Sequence, residues 1–279
     1  RAMLTEKGTM PDILVMTATP IPRTLALTVY GKLDLSIIDE LPPGRKPVIT
    51  RYIKQSARKQ AYNFIHKEVR KQMQVYVVCP LVEESEKQDL QAAVSLYEEL
   101  RDNIFPDIKV GLLHGRMKSA EKGYIMNLFK KGIIQILVTT TVIEVGVDVP
   151  NASIMVIEHA ERFGLSQLHQ LRGRVGRGKQ QAYCLLIGNP HTEEALKRLQ
   201  VMESTCNGFK LAQEDLLIRG PGDFWGVRQH GLHQLKVADL TRDHKIIELS
   251  RQLVLRIEPI ENLQNYVKLK FNKSDRIAP

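Results

Sequence analysis

Six short, almost uninterrupted apolar runs alternate with helical patterns over residues 48–187, and this alternation restricts the fold more than any other feature. The runs are 48–53, 75–79, 110–113, 133–139, 154–157 and 182–187, with a seventh at 13–16. Apolar residues at helical spacing fill 56–71, 87–103, 119–131 and 165–175. A strand with one wet face alternates apolar and polar residues, whereas a run that is apolar throughout must be covered on both faces. Such strands separated by helices predict an α/β fold, a parallel sheet with helices on both sides. Right-handed crossovers bring the C-terminal ends of the strands to one edge, where ligands of such sheets bind. The motifs below are expected along that edge.

The stretch Leu41-Pro42-Pro43-Gly44-Arg45-Lys46-Pro47 excludes a continuing helix or a central strand. It divides the chain into 1–43, read as the end of a preceding domain with its linker, 44–188, the sheet domain, and 189–279, which is more helical and loop-rich. Opening on Arg-Ala-Met and soon entering an apolar run, the chain reads as a piece of a longer protein. A formal net charge of +9 favours an anionic partner, with nucleic acid the leading candidate. No long apolar run supports a membrane partner. Cys79, Cys184 and Cys206 lie far apart without metal-ligand spacing, so no metal site is expected. The first two sit in apolar runs and are expected as buried free thiols, in keeping with a reducing cytoplasm.

The segment Gln170-Leu-Arg-Gly-Arg174-Val-Gly-Arg177 crowds Arg172, Arg174 and Arg177 into what the helical pattern makes a turn and a half. Guanidinium groups this dense repel one another unless an anion sits among them, and phosphate is the anion their planar fork suits. Gly173 and Gly176 remove side chains that would block a close approach. A solvated basic helix is the plainer alternative. Upstream, Thr139-Thr140-Thr141 ends an apolar run and leads into Gly146-Val-Asp148-Val-Pro150. Threonines at a strand end offer hydroxyls and N–H groups to a phosphate without reading bases. Gly146 permits a close turn, and Asp148 can accept from a ribose or orient an arginine. His114-Gly115 ends another run, where the imidazole is either a core histidine or a phosphate neighbour.

These segments resemble the motor motifs of superfamily 2 helicases and translocases. Gln170, Gly173, Arg174 and Arg177 match the last signature, Gln-x-x-Gly-Arg-x-x-Arg, and Thr139–Thr141 with Gly146 and Asp148 match motif V. Thr17-Ala18-Thr19-Pro20-Ile-Pro-Arg-Thr24 matches the motif that closes the first motor lobe, and narrows the resemblance to the RecG and transcription-repair-coupling group. The resemblance implies that Arg174 and Arg177 reach ATP phosphates as arginine fingers, a device worth about 10³–10⁵ in rate. It implies that Gln170, Gly173, Gly146 and Asp148 line the nucleotide, and that His114, Gly115 and the three threonines hold a DNA strand. No Gly-x-x-x-x-Gly-Lys-Ser/Thr loop and no Asp-Glu-x-His motif occurs in the sequence. ATP and magnesium are therefore expected to be held mostly by a first lobe that the chain lacks, and the chain alone is not expected to hydrolyse ATP.

From Gly208 to Gly231 five glycines and a proline accompany Trp225, Arg219 and Arg228, a composition that predicts a long loop after an amphipathic helix at 192–205. The wording Ile-Arg219-Gly-Pro-Gly-Asp-Phe-Trp-Gly-Val-Arg228-Gln229 resembles the translocation motif shared by the RecG family and the coupling factor, and favours RecG. In that family a helical hairpin and following loop couple closure of the ATP site to movement on double-stranded DNA. Arg198, Arg219, Arg228 and Gln229 are the matching positions. Residues 237–257 read as polar-faced helices for packing or docking.

The resemblance thus implies a RecA-like second helicase lobe with a helical hairpin and loop extension. It further implies a bacterial, cytoplasmic, nucleoid-associated DNA motor acting on stalled forks and Holliday junctions. A wedge domain and the first lobe would be its partners in the same chain. The alternatives are a transcription-repair coupling motor, which would also carry a polymerase-binding domain, and a non-catalytic nucleic-acid scaffold.

Overall fold

The computed structural model describes residues 44–80, 86–140, 149–178 and 180–219, with a few isolated positions elsewhere. The chain divides into two compact units, residues 1–20 with 37–225 and residues 21–36 with 226–279, and nearly all described residues belong to the first. The elements of that unit run β1 (Ile49–Lys54), a 3-10 turn (Gln55–Ala57), α1 (Arg58–Val69), β2 (Gln74–Cys79), α2 (Glu86–Glu98) continuing into a π turn (Glu99–Ile104), and β3 (Val110–Leu113). They continue as α3 (Ser119–Lys130), β4 (Ile136–Thr140), β5 (Ala152–Ile157), a 3-10 turn (Ala160–Arg162), α4 (Leu165–Arg172), β6 (Tyr183–Gly188), α5 (Glu193–Ser204) and α6 (Gly208–Arg219).

The six strands form one sheet in the order β1-β6-β5-β2-β4-β3, and every pairing is parallel. The apolar runs explain this directly: β2, β4 and β5 are buried at every position. Successive residues of β2 serve opposite cores. Tyr76 and Val78 face α3, α4, α5 and α6 through Phe129, Leu168, Leu199 and Leu211. Val75, Val77 and Cys79 face α1 and α2 through Ile65 and Ala93. This is the period-two geometry of a strand applied to a sheet with two dry faces. Each fully buried Leu, Ile or Phe side chain in these layers contributes about 1.5–3 kcal/mol. The architecture is the RecA-like lobe expected from the sequence.

Three expectations about local structure change. The helix expected over 165–175 ends at Arg172, because Gly173 and Arg174 turn and Gly176 takes a left-handed φ of 77°. Residues 208–219 form helix α6 rather than the start of a loop, since Leu211, Ala212 and Leu216 are buried against the sheet unit. Composition overstated the loop because its glycines cluster after residue 219. Of the run expected as a strand at 13–16, the described residues Leu14 and Met16 are outside the sheet and exposed, at 81% and 82%. Most of the stretch expected as helices over 237–257 lies outside the described residues; of its described positions, Ile246, Leu249, Ser250 and Leu253 are helical.

Candidate functional site

Two groups of motif residues occupy opposite edges of the sheet. At the edge formed by the strand C-termini, Thr139 pairs with Val78 and Leu113, and Thr140 pairs with Cys79. Both threonines are buried, and the Thr139 hydroxyl donates to the Thr140 carbonyl at 2.8 Å, so Thr139 braces the strand end rather than facing outward. Beside them His114 follows Leu113. It is half-buried, and its Nδ1 has no hydrogen-bond partner among the described residues. Burial, then the charges of Lys122 and Arg116, hold its pKa below the usual histidine value. The result is a neutral imidazole with a ring nitrogen to offer. Gly115 is exposed in the turn that follows, Arg116 and Lys118 continue that turn, and Lys122 lies in the first turn of α3. These three cations were not singled out in the sequence, because scattered basic residues carry no motif.

A second cluster at this edge had no sequence signal at all. Glu158, directly after β5, is 3% exposed. It accepts from the Tyr62 hydroxyl and from Arg58 Nε at 3.3 Å. Arg58 also holds Glu99 through two bonds of 2.8 and 3.0 Å and lies over the Tyr62 ring. Burial, then the Glu158 charge, raises the Tyr62 pKa, and the same two causes push Cys79 up to about 12. Arg58, Cys79, Glu99 and Glu158 line a cleft of about 350 Å³ with His159 and Arg162. The pairing lies 100 residues apart in sequence, beyond any local pattern.

The arginine segment lies at the other edge, where β1, β5 and β6 begin. This corrects the expectation that all motifs share the C-terminal edge. Helix α4 leaves the C-terminal end of β5 and runs back along the sheet, so whatever follows it is delivered to the strand N-termini. There Arg45 donates to the carbonyls of Gly173 and Val175, both at 3.4 Å. Val175 is fully buried and pins the loop between the two arginines. At Gly176 a Cβ would lie 3.1 Å from Ala182 Cβ and 3.2 Å from Val48 Cγ2, on a backbone that already disfavours L side chains. At Gly178 a Cβ would lie 2.4 Å from the Pro150 carbonyl oxygen. The loop is thus seated against the residues just before β1 and β5. Arg174 is half-buried and Arg177 exposed, while Gln170 is exposed on α4 and Gly173 caps its end. Arg172 leaves the cluster altogether: at 3% exposed it faces inward. The crowding inferred from a helical arrangement is therefore relieved by the chain itself.

Residues 141–148, which include Thr141, Gly146 and Asp148, lie outside the described residues, but their flanks do not. Thr140 ends β4 at the C-terminal edge, and Val149 and Pro150 precede β5 at the opposite one. The motif that the resemblance assigns to both nucleic acid and nucleotide is thus anchored at both edges.

Helix α5 also spans the two edges. Near its start Asn189 N donates to Glu161 Oε2 at 3.2 Å, and Thr192 caps it by accepting from Ala195 N at 3.2 Å. Arg198 Nη2 donates to the Glu161 carbonyl at 3.1 Å, and Arg198 Nε is buried without a partner among the described residues. At its end Met202 and Thr205 meet Arg172. Arg219 is the last residue of α6; Arg228 and Gln229 lie outside the described residues.

Comparison with known proteins gives the family. Residues 56–179 match the helicase conserved C-terminal domain, and residues 205–268 match domain 3, C-terminal, of the ATP-dependent DNA helicase RecG. The chain is 53% identical over 264 residues to the RecG helicase of Streptococcus pneumoniae, covering 95% of this chain and 39% of that protein. It is 52% identical over 271 residues to that of Thermotoga maritima, covering 97% and 35%. The solved structure of RecG bound to a three-way DNA junction superimposes with a TM-score of 0.67 at 50% identity, covering 87% of this chain and 31% of that one. The chain belongs to the RecG helicase family. It spans between a third and two-fifths of the length of these RecG relatives. Among the described residues no helix is long and apolar enough to cross a membrane.

Proposed function

We propose that residues 44–188 form the second motor lobe, and residues 189–279 the hairpin and loop extension, of an ATP-dependent, RecG-type DNA translocase that remodels stalled forks and Holliday junctions. The observation that carries this reading is the seating of the Arg174–Arg177 loop at one edge while His114 and the threonine strand end occupy the other. A motor needs a nucleotide contact and a track contact that are distinct yet joined by rigid elements, and two groups of motif residues at opposite edges of one sheet support that reading. Arg174 and Arg177 present fixed cations to the phosphoryl group as its charge spreads in the transition state. His114, Gly115 and the basic start of α3 hold duplex DNA by its phosphates, which positions it without reading sequence. Arg198, Arg219, Arg228 and Gln229 transmit closure of the nucleotide site to the track. Gln170, Gly173, Gly146 and Asp148 complete the nucleotide contact.

Among the described residues no group of three or more His, Cys, Asp or Glu is placed to hold a metal ion. Magnesium would arrive with ATP on a first lobe that supplies the phosphate-cradling loop. The wedge domain of the same chain would bring the branch point, and the motor would work on the bacterial nucleoid.

The test is ATP turnover by the full-length helicase on branched and linear duplex DNA. Turnover should rise most with branched DNA, and DNA affinity should fall steeply with salt as phosphate contacts release counterions. Turnover indifferent to DNA, or a flat salt response, would overturn the reading.

A further inference from the structure

Arg172 looks in sequence like a third member of the phosphate-binding cluster, yet it makes contacts of a different kind. It is the last residue of α4 and is 3% exposed. Its Nη1 donates to the Met202 carbonyl at 2.9 Å and the Thr205 carbonyl at 2.8 Å, and lies 3.4 Å from Thr50 Oγ1. Its Nη2 lies 3.1 Å from His169 Nδ1. Burial, then the neighbouring Arg172 charge, pushes the His169 pKa down to about 4, so the ring is neutral and Nδ1 accepts.

Two aspects of this arrangement need a reason. A buried guanidinium is costly, and structural ones are usually matched by a carboxylate. Here the partners among the described residues are neutral: two carbonyls, a hydroxyl and an imidazole. The two carbonyls are also particular ones. Met202 and Thr205 belong to the last turn and C-cap of α5, where helix carbonyls lack intrahelical donors and the helix dipole is negative. The arginine thus replaces the donors missing at the end of one helix while being itself the end of another. Two residues later begins the loop that carries Arg174 and Arg177.

Helix α5 is held again on its other side, where Arg198 donates to the Glu161 carbonyl in the turn after β5. It is therefore tied to the C-terminal edge through Arg198 and to the opposite edge through Arg172. Arg45 holds the finger loop from the remaining direction, through the carbonyls of Gly173 and Val175.

We propose that Arg172 is a positioning residue that fastens the arginine-finger loop to the end of α5, so that loop and hairpin move as one body. This rests on the reading of Arg174 and Arg177 as nucleotide contacts. It assigns a mechanical role to an arginine that the motif pattern leaves unspecified. Shift of the hairpin on its track displaces Arg172, and with it the fingers.

The variant is Arg172→Lys in the full-length helicase. An ammonium keeps the charge but cannot span two carbonyls, a hydroxyl and an imidazole from one planar fork. The readout is the ratio of turnover with duplex DNA to turnover without it. A partly unfolded preparation loses both rates equally and leaves the ratio unchanged, so a merely structural role does not move it. The ratio should fall at least tenfold, with KM for ATP within threefold of wild type. His169→Leu removes one acceptor while leaving the carbonyl clamp, and should lower the ratio two- to fivefold. It decides the matter if the lysine variant does not fold. Wild-type stimulation with unchanged ratios in the variants would overturn the role of Arg172 alone. Absence of DNA stimulation in the wild type would overturn the motor reading, and this proposal with it.

Discussion

Gly178 gives the sharpest quantitative test of how the finger loop is held. An ideal Cβ built there lies 2.4 Å from the carbonyl oxygen of Pro150, and the obstacle is backbone, which cannot rotate aside. An ordinary carbon–oxygen contact needs about 3.3 Å. In Gly178→Ala the loop must therefore retreat by about 0.9 Å from the segment that precedes β5. A misplacement of about 1 Å costs a positioned transition-state group roughly 10²-fold in rate, or about 2.7 kcal/mol. Arg177 directly precedes Gly178 in the chain, so a retreat of the loop at Gly178 moves Arg177 with it. The assay is steady-state ATP turnover of the full-length helicase at saturating DNA, paired with a urea melt. Turnover should fall 30- to 100-fold, with stability lost by about 1–3 kcal/mol. The matched control is Gly123→Ala in the middle of α3, where a Cβ meets nothing within 4 Å. That variant should gain up to about 1 kcal/mol and keep full turnover. Turnover of Gly178→Ala within twofold of wild type would refute the claim that this contact sets the position of the fingers.

Three further outcomes follow from other sites. Arg58→Met leaves Glu158 buried and without its cation, and should cost about 3–5 kcal/mol in a urea melt; a loss under 1 kcal/mol would mean that Tyr62 alone satisfies the carboxylate. His169 is depressed to about 4 in the folded chain against about 6.5 unfolded, so the unfolded state binds more protons between those values. Its contribution is complete above pH 6.5 and is lost as pH falls toward 4, about 2 kcal/mol once solvent screening is allowed for, and His169→Asn should flatten that limb of the melt profile. Cys79 and Cys184 are buried, with thiols pushed up to about 12, whereas Cys206 is exposed. A maleimide added to native protein should therefore label Cys206 alone, as mass spectrometry of the peptides would show.

The sheet was legible because short apolar runs alternating with longer helical patterns fit strands buried on both faces. The runs at 75–79 and 154–157 became β2 and β5 almost residue for residue. The arginine motif was legible as chemistry but not as geometry. Glycines after Arg172 look tolerable in a short helix, and only packing against Val48, Ala182 and Pro150 reveals that Gly176 and Gly178 belong to a loop seated beyond its end. For the same reason Arg172 read as a third surface cation. Nothing local distinguishes an arginine that faces phosphate from one that closes the end of a distant helix 30 residues later. The Arg58, Tyr62, Glu99 and Glu158 cluster was invisible because its members come from three separate elements. The assignment of motifs to opposite edges needed the direction of α4, which periodicity does not supply.

The measurement that bears most directly on the division of labour between the edges compares Arg177→Ala with His114→Ala in the full-length helicase. Each is assayed for duplex DNA affinity and for ATP turnover at saturating DNA. Arg177→Ala should lose at least 10³-fold in turnover, as expected for an arginine finger, with DNA affinity within threefold of wild type. His114→Ala should weaken DNA binding while keeping turnover once DNA saturates. Loss of both properties in either variant, or the reverse assignment, would contradict the account.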